Sequence, residues 1–501
     1  MTAIALGVLI VSLDGTITAV ANPVLARELG ATLSDLQWIT TIYLLAMAAT
    51  LVLAGKLGDR FGRRTVFLTG VAGFGVSSAV IACAPVVAVV IAGRLGQGIF
   101  GALIVTNALA LLRVLFTREA LPKALSLFAS LIGASSAAGP LIGGLLIEQA
   151  SWRSAFLINV PVVVVSLVIG VLVLPRHSRP VPARFDLAGA ALLGIGLLAS
   201  TYGVIRAPEV GWTNTLVLTL FVVGLAAAVL FVVVENRAAD PVIPIRLFAD
   251  PSIAIGIVLT VISFFALVGS LFFVLLYLQQ INGDSPLRAG LHLLPLSIAN
   301  VAASSASGWI LRHRGPRLPL VAGMLLSAVG FALFTDLPVH SGYLTLALPF
   351  IALGLGLGLV MTASVQAVLG NAESADAGAA AGTHQTALQI GGILGTSVLG
   401  AVMAAVVAGR FGTAMSEAEV PGPAAESVSG QAASAVAQGV APVLADAPQQ
   451  VNDALRTATE VTFVHGMGTT MWVGVGISLL GAVLALGIRR GRVLEHAAAM
   501  H

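Results

Sequence analysis

The sequence predicts an all-α integral membrane protein of fourteen spans, built as two related six-helix bundles with two additional helices between them. Three observations carry the prediction. The 501-residue chain is 58% hydrophobic and only 9% charged, against roughly 25% charged in soluble domains. Its apolar runs are about 20 residues long, the length that crosses a hydrocarbon core as a helix. A segment of the first half recurs in the second. So few charges could not cover the surface of a soluble fold, whereas lipid accepts apolar side chains and requires only that backbone groups bond internally. Short strands of alternating polarity, the mark of a membrane barrel, are not what these runs look like.

Breaking the runs at charges, Pro and Gly puts spans near 3–24, 36–55, 65–84, 87–113, 121–147 and 154–174. Eight more fall near 186–205, 214–234, 252–280, 289–311, 318–337, 343–369, 379–408 and 465–488. The first run carries Asp14 and lacks both a basic start and a cleavage site, so it is a span rather than a signal peptide. Because it begins almost at Met1, the natural start is expected to lie slightly upstream.

With the amino terminus cytoplasmic, eighteen of the 25 Lys and Arg residues, from Lys56 to Arg492, sort to the inner side. Only Arg27, Arg153, Arg206, Arg288, Arg410 and Arg456 fall outside, and Arg94 stays within a span. That is the positive-inside pattern, and it puts both termini in the cytoplasm. The net charge of +3 therefore reports topology, and no nucleic-acid partner is expected. Cys83 is the only cysteine, so no intramolecular disulfide forms. The abundance of arginine over lysine hints at a GC-rich bacterial genome.

The expected organisation is a first bundle over 1–174, a linker plus two extra spans over 175–250, and a second bundle over 251–501 with a long outer loop at 409–464. In that loop Val436, Val440, Val443 and Leu444 recur at helical spacing, which predicts partial helix.

The internal repeat supports the two-bundle reading. GKLGDRFGRRTVFLTG at 55–70 aligns without gaps to GWILRHRGPRLPLVAG at 308–323, so that Gly55, Gly62, Arg64 and Gly70 match Gly308, Gly315, Arg317 and Gly323. Gly139 and Gly143 in the fifth span match Gly391 and Gly395 in the thirteenth at nearly the same offset. Duplicated bundles are how secondary carriers build a midplane site and alternate its access.

Asp14 is the leading functional candidate. A carboxylate near mid-span costs about 2.5–3.5 kcal/mol on insertion scales and is rarely kept without a use. Its depth of roughly 10–15 Å matches that of Arg94 on the antiparallel fourth span, so the two are expected to pair. Lipid burial favours the neutral acid and a nearby guanidinium the carboxylate, so a change in their separation would switch proton affinity. The alternatives are structural: Asp14 bonding a neighbouring helix, and Arg94 acting as a packing cation.

These residues lie within longer patterns: LDGTITAVANPVL at 13–25, GKLGDRFGRR at 55–64, RLGQGIFGA at 94–102, GASSAAGPLIGGLL at 133–146 and WRSAFLINVP at 152–161. Jointly they resemble the major facilitator superfamily, and within it the fourteen-span drug/proton antiporter branch. Ala19 and Asn22 depart from that branch's first-span pattern. The resemblance implies a proton-coupled exporter of small amphipathic compounds such as drugs or antibiotics, working by alternating access in a bacterial plasma membrane, monomeric and powered by the proton gradient without a cofactor. It implies a gating role for Gly55, Asp59, Arg60, Gly62, Arg63 and Arg64, with Asp59 facing Arg113 and the amino end of span thirteen; a solvated, topology-setting loop is the alternative. It also implies that Gly133, Gly139, Pro140, Gly143 and Gly144 seal the two halves against proton leak, where close helix packing alone is the alternative.

Asn300, Gln366, His384, Gln385 and Gln389 are polar positions in or entering spans ten, twelve and thirteen, and are candidates to line the substrate path or simply to make interhelical bonds. Trp38, Tyr43, Tyr277, Gln279 and Gln280 lie near outer span ends, where interfacial anchoring is the ordinary role of the aromatics. GLGLGLG within span twelve has no preceding strand and is helix packing rather than a dinucleotide loop. No metalloprotease, serine-hydrolase or Walker motif occurs, so an enzyme or ATP-driven pump is not expected. An uptake symporter is the nearest rival within transport.

Overall fold

The computed structural model describes residues 2–116, 121–175, 186–238, 241–373, 376–428, 432–445 and 447–488, and every regular element among them is helical. The first six long helices are α1 (Thr2–Leu29), α2 (Leu33–Phe61), α3 (Arg63–Ala82), α4 (Val87–Leu115), α5 (Leu121–Gln149) and α6, broken into Trp152–Leu157 and Asn159–Val173. Then come α7 (Leu187–Val210) and α8 (Thr215–Glu235). The last six are α9 (Pro251–Leu276, ending in a π turn at Tyr277–Ile281), α10 (Pro286–His292 and Leu294–Arg314), α11 (Arg317–Phe334), α12 (Tyr343–Leu369), α13 (Ala377–Glu417) and α14 (Gln449–Ala485). Thirteen of them are long and apolar enough to cross a bilayer on their described residues, and α5 is 29 residues long.

Helix starts follow local chemistry. Thr32 and Asp35 form a reciprocal capping box before α2, with Asp35 N donating to Thr32 Oγ1 at 3.2 Å and Thr32 N to Asp35 Oδ2 at 2.9 Å. Asp250 accepts from Ser252 N at 2.7 Å, with Pro251 in the first turn of α9.

The packing repeats between the halves. In the first, α2 and α3 pack on α4, α1 on α5, and α3 on α6; in the second, α10 and α11 pack on α12, α9 on α13, and α11 on α14. The matched glycines explain why one sequence pattern serves both. Gly62 and Gly315 each join two helices with a positive φ, 91° and 75°, a conformation that side chains bearing a Cβ rarely adopt. A Cβ on Gly143 would lie 3.1 Å from Ile17 of α1, and one on Gly391 would lie 2.5 Å from the Val261 carbonyl of α9, so the glycines of α5 and α13 bring equivalent helix pairs into backbone contact. The extra pair α7 and α8 pack on each other, and α7 stands along both α2 and α13, at the seam between the bundles.

The 409–464 segment departs from the hydropathy reading. α13 runs on to Glu417 and α14 begins at Gln449, because Ala, Gln and Thr sustain helix beyond the lipid while hydropathy reports only the part in lipid. Among the described residues of the loop between α13 and α14, helix is confined to Gly422–Val428 and Ala433–Val436. Gly439, at φ 77°, follows directly, and Val443 is exposed, so the Val436–Leu444 periodicity does not continue as a helix. Leu33 N donates to Ser434 Oγ at 3.2 Å, and the Gly439 backbone rests on Gln280 and Ile281, so the loop lies across the end where α2 and α9 meet.

Candidate functional site

Asp14 sits midway along α1 and is 2% exposed. Its carboxylate is enclosed by donors from two helices, α4 and α6. Oδ2 is paired with Arg94 Nη1 of α4. Oδ1 accepts from Gln97 Nε2 at 2.8 Å and from Asn159 Nδ2 of α6 at 3.2 Å. Ser78 Oγ of α3 accepts from the same two amides, at 2.9 Å and 3.2 Å. Arg94 is likewise 2% exposed; its Nε donates to the Ile39 carbonyl at 3.0 Å, its Nη1 to Gln97 Oε1 at 2.8 Å, and its guanidinium lies 4.2 Å from the Tyr43 ring centre.

Local sequence explains the convergence. Arg94 and Gln97 are three residues apart and share a face of α4. Asn159 opens the second piece of α6, and Pro161, lacking an N–H, cannot bond the Leu157 carbonyl, so the helix loses a backbone hydrogen bond beside the acid while Ile158 keeps helical angles (φ −57°, ψ −28°). The expected Asp14–Arg94 pair is present. Gln97 and Asn159 lie within the RLGQGIFGA and WRSAFLINVP patterns but carried no role of their own there, and Ser78 lies in none; the i, i+3 spacing of Gln97 from Arg94 is the further local signal. Tyr43 and Tyr277 are buried rather than interfacial: Tyr43 backs Arg94, and Tyr277 donates to the Pro338 carbonyl at 3.0 Å.

The candidate gating residues cluster where α2 meets α3. Gly55 packs on Thr106 of α4, and Gly62 makes the turn. Asp59 accepts from Arg63 Nη2 at 2.8 Å and Nε at 3.1 Å. Arg60 lies against the Phe61 ring, and Arg64 Nη2 donates to the Val171 carbonyl at 2.7 Å. The side chain of Arg113 lies outside the described residues. At the amino end of α13 the acid in place is Asp376, which holds Arg246 at 2.5 Å.

The halves meet at the opposite end, the one the arginine distribution predicts to face outward. Gln279 Nε2 and Gln280 Nε2 donate to the carbonyls of Val20 and Pro23 of α1, at 3.0 Å and 2.9 Å. Gln37 Nε2 donates to the Thr396 carbonyl at 3.0 Å, and Glu148 Oε2 accepts from Ser285 Oγ at 2.7 Å and Leu287 N at 3.3 Å. The span-five motif belongs to this seal. A Cβ on Gly144 would lie 2.5 Å from the Pro286 carbonyl oxygen and 2.7 Å from Leu287 Cα, while a Cβ on Gly290 would lie 2.5 Å from the Pro140 carbonyl oxygen. Gly139 and Gly143 instead face α1 within their own half. Gly133 belongs to α5, but its surroundings lie outside the described residues.

The candidate path residues do not form one cluster. His384 and Gln389 are buried on α13, His384 with Nε2 3.5 Å from Ser364 Oγ of α12, and Gln385 and Asn300 are half-buried. Gln366 is exposed three residues from the end of α12.

The profile of the Major Facilitator Superfamily matches residues 4–396. The tetracenomycin C resistance and export protein of Streptomyces glaucescens is 40% identical over 498 residues, covering 99% of this chain and 92% of its own. The multidrug efflux pump LfrA of Mycolicibacterium smegmatis is 32% identical over 489 residues, covering 97% and 95%. Among solved structures, a bacterial homologue of the human lysosomal transporter Spinster, in an inward-facing and unoccupied conformation, superposes with a TM-score of 0.64 at 12% identity over 98% of both chains.

Proposed function

Because the chain belongs to the Major Facilitator Superfamily, we propose that it exports small amphipathic compounds of the drug or antibiotic class in exchange for protons, with Asp14 as the proton carrier. The observation that carries the assignment to Asp14 is its position: a lone acid at mid-span, buried, with its carboxylate enclosed by Arg94, Gln97 and Asn159. Removing one partner of such a buried pair costs about 3–5 kcal/mol. Neutralising Asp14 by a proton therefore leaves Arg94 uncompensated and drives rearrangement of α1 against α4. Alternating access then follows from two bundles rocking about this site.

In the proposed cycle Asp14 takes its proton while the site faces outward and releases it inward, as the cage re-forms around the carboxylate. The substrate travels the other way. The closed seal at the predicted outer end fits the proton-released half of that cycle. The protein works as a monomer in a bacterial cytoplasmic membrane with both termini inside, and the proton gradient is its energy source, with no cofactor. The export and resistance functions named for the Streptomyces and Mycolicibacterium relatives support the direction of transport.

Every other acid of the chain lies near a span end or in a loop, so no second mid-membrane carboxylate is available to hold a cationic substrate. A neutral or weakly acidic amphipath is therefore the favoured substrate.

The test is proton-driven transport in proteoliposomes. Asp14→Asn is expected to abolish uphill export while leaving downhill substrate counterflow. Undiminished proton-linked transport in that variant would remove Asp14 from the mechanism.

A further inference from the structure

Asp14 is held by more than its cation. Its Oδ1 accepts two amide hydrogen bonds, from Gln97 at 2.8 Å and Asn159 at 3.2 Å, and Ser78 Oγ accepts from both of the same amides. Everything the cage presents to the carboxylate is a donor. An ionised carboxylate is acceptor-only and suits three donors, whereas a carboxylic acid brings an O–H that needs an acceptor. Among the described side chains of the cage the acceptors are engaged: Gln97 Oε1 by Arg94, at 2.8 Å, and Ser78 Oγ by two amides. A protonated Asp14 therefore has no place for its hydrogen until one amide turns away. Asn159 is placed to do so, because it lies where Pro161 removes a backbone hydrogen bond from α6, although Ile158 between the two pieces keeps helical angles (φ −57°, ψ −28°).

We propose that Asn159 is a positioning residue for proton exchange: from the break in α6 it holds the amide arrangement that admits only the ionised form of Asp14, and its release accompanies protonation. The inference rests on Asp14 carrying the proton. The charged and titratable groups facing Asp14 are Arg94 from α4 and, behind Arg94, the Tyr43 hydroxyl from α2. α3 and α6 contribute the neutral Ser78 and Asn159. α5 brings the Gly139 backbone against Leu13 and Thr16.

The purified protein, titrated from acid to alkaline pH, is followed by infrared difference spectroscopy of the protonated carboxyl band, with Asp14→Asn subtracted. A hydrogen bond to a charged group is worth enough to move such a titration by about one unit. Asn159→Ala removes a donor that favours the carboxylate, so the midpoint of the Asp14 band should move about one pH unit alkaline, a tenfold tighter hold on the proton. Asn159→Leu keeps a similar side-chain size without a donor and without an added acid, and should move it in the same direction by a similar amount. An Asp14-dependent band whose midpoint is unmoved in folded Asn159→Ala or Asn159→Leu would overturn the role of Asn159 alone. No Asp14-dependent band at any pH would overturn the reading of Asp14 itself. If Asn159→Ala fails to fold, Asn159→Leu decides the question.

Discussion

Gly144→Ala tests the idea that the span-five motif seals the halves rather than merely packing one bundle. The added Cβ would stand 2.5 Å from the Pro286 carbonyl oxygen, 2.7 Å from Leu287 Cα and 2.8 Å from the Pro286 carbonyl carbon. These are backbone atoms at the start of α10 and cannot rotate aside, so one half must move from the other. Overpacking of this kind costs typically about 1–3 kcal/mol. The clash exists only while the seal is closed, so the whole penalty falls on that state and raises the open-to-closed ratio roughly 5- to 150-fold. Nitroxide labels at Gln149→Cys on α5 and Arg288→Cys on α10, both exposed beside the seal, in a Cys83→Ser background, report the gap by pulsed electron paramagnetic resonance. A longer-distance population should appear or grow in Gly144→Ala. Gly476→Ala, with open space around its Cβ position, should leave the distribution unchanged. Gly143→Ala crowds Ile17 within one half, 3.1 Å away, and should lower stability without widening the gap. If Gly144→Ala gives the wild-type distribution while the protein is folded, the motif does not close the seal.

Arg94→Gln leaves a buried carboxylate without its cation, and removal of one partner from such a pair costs about 3–5 kcal/mol. Thermal unfolding should show a large loss in Arg94→Gln and substantial recovery in the double variant Asp14→Asn with Arg94→Gln; an additive double variant would deny the coupling. Asp59→Asn removes a half-exposed pair with Arg63, so stability should change by no more than about 1 kcal/mol. Its export turnover should nevertheless fall while KM holds, and a pure KM increase would place Asp59 outside gating. Membrane-potential dependence checks the neutral-substrate expectation: exchange of one proton for a neutral compound moves one charge, so valinomycin-imposed potential should drive export without a pH gradient, at about 2.3 kcal/mol per 100 mV. Unchanged export under that potential would argue for a monovalent cation as substrate.

Some parts of this molecule were legible because they violate the rules of their solvent. An acid and an arginine inside apolar runs stand out at once, and antiparallel counting from span ends brought Asp14 and Arg94 to one depth. The repeat was legible for a related reason. Gly62 and Gly315 serve single-residue turns at positive φ that tolerate little else, so the pattern survives where surrounding apolar residues do not distinguish themselves. Gln97, Ser78 and Asn159 violate nothing: uncharged polar side chains are ordinary in spans, and only three-dimensional convergence from three helices makes them a cage. Gln279 and Gln280 were legible only as positions near an outer span end, since their carbonyl partners on α1 lie some 257 to 259 residues away in sequence.

α1 joins these two kinds of site. Asp14 and the Val20 carbonyl that receives Gln279 lie on one helix, about 9 Å apart along its axis. Gly143 packs directly on Ile17 between them, and its neighbour Gly144 packs on α10 of the other half. A displacement of α1 large enough to free a protonated Asp14 from Arg94 is therefore transmitted both to the glutamine bonds and, through α5, to the glycine contact. Proton binding and seal opening share one rigid element, and this is why a single acid suffices to couple them.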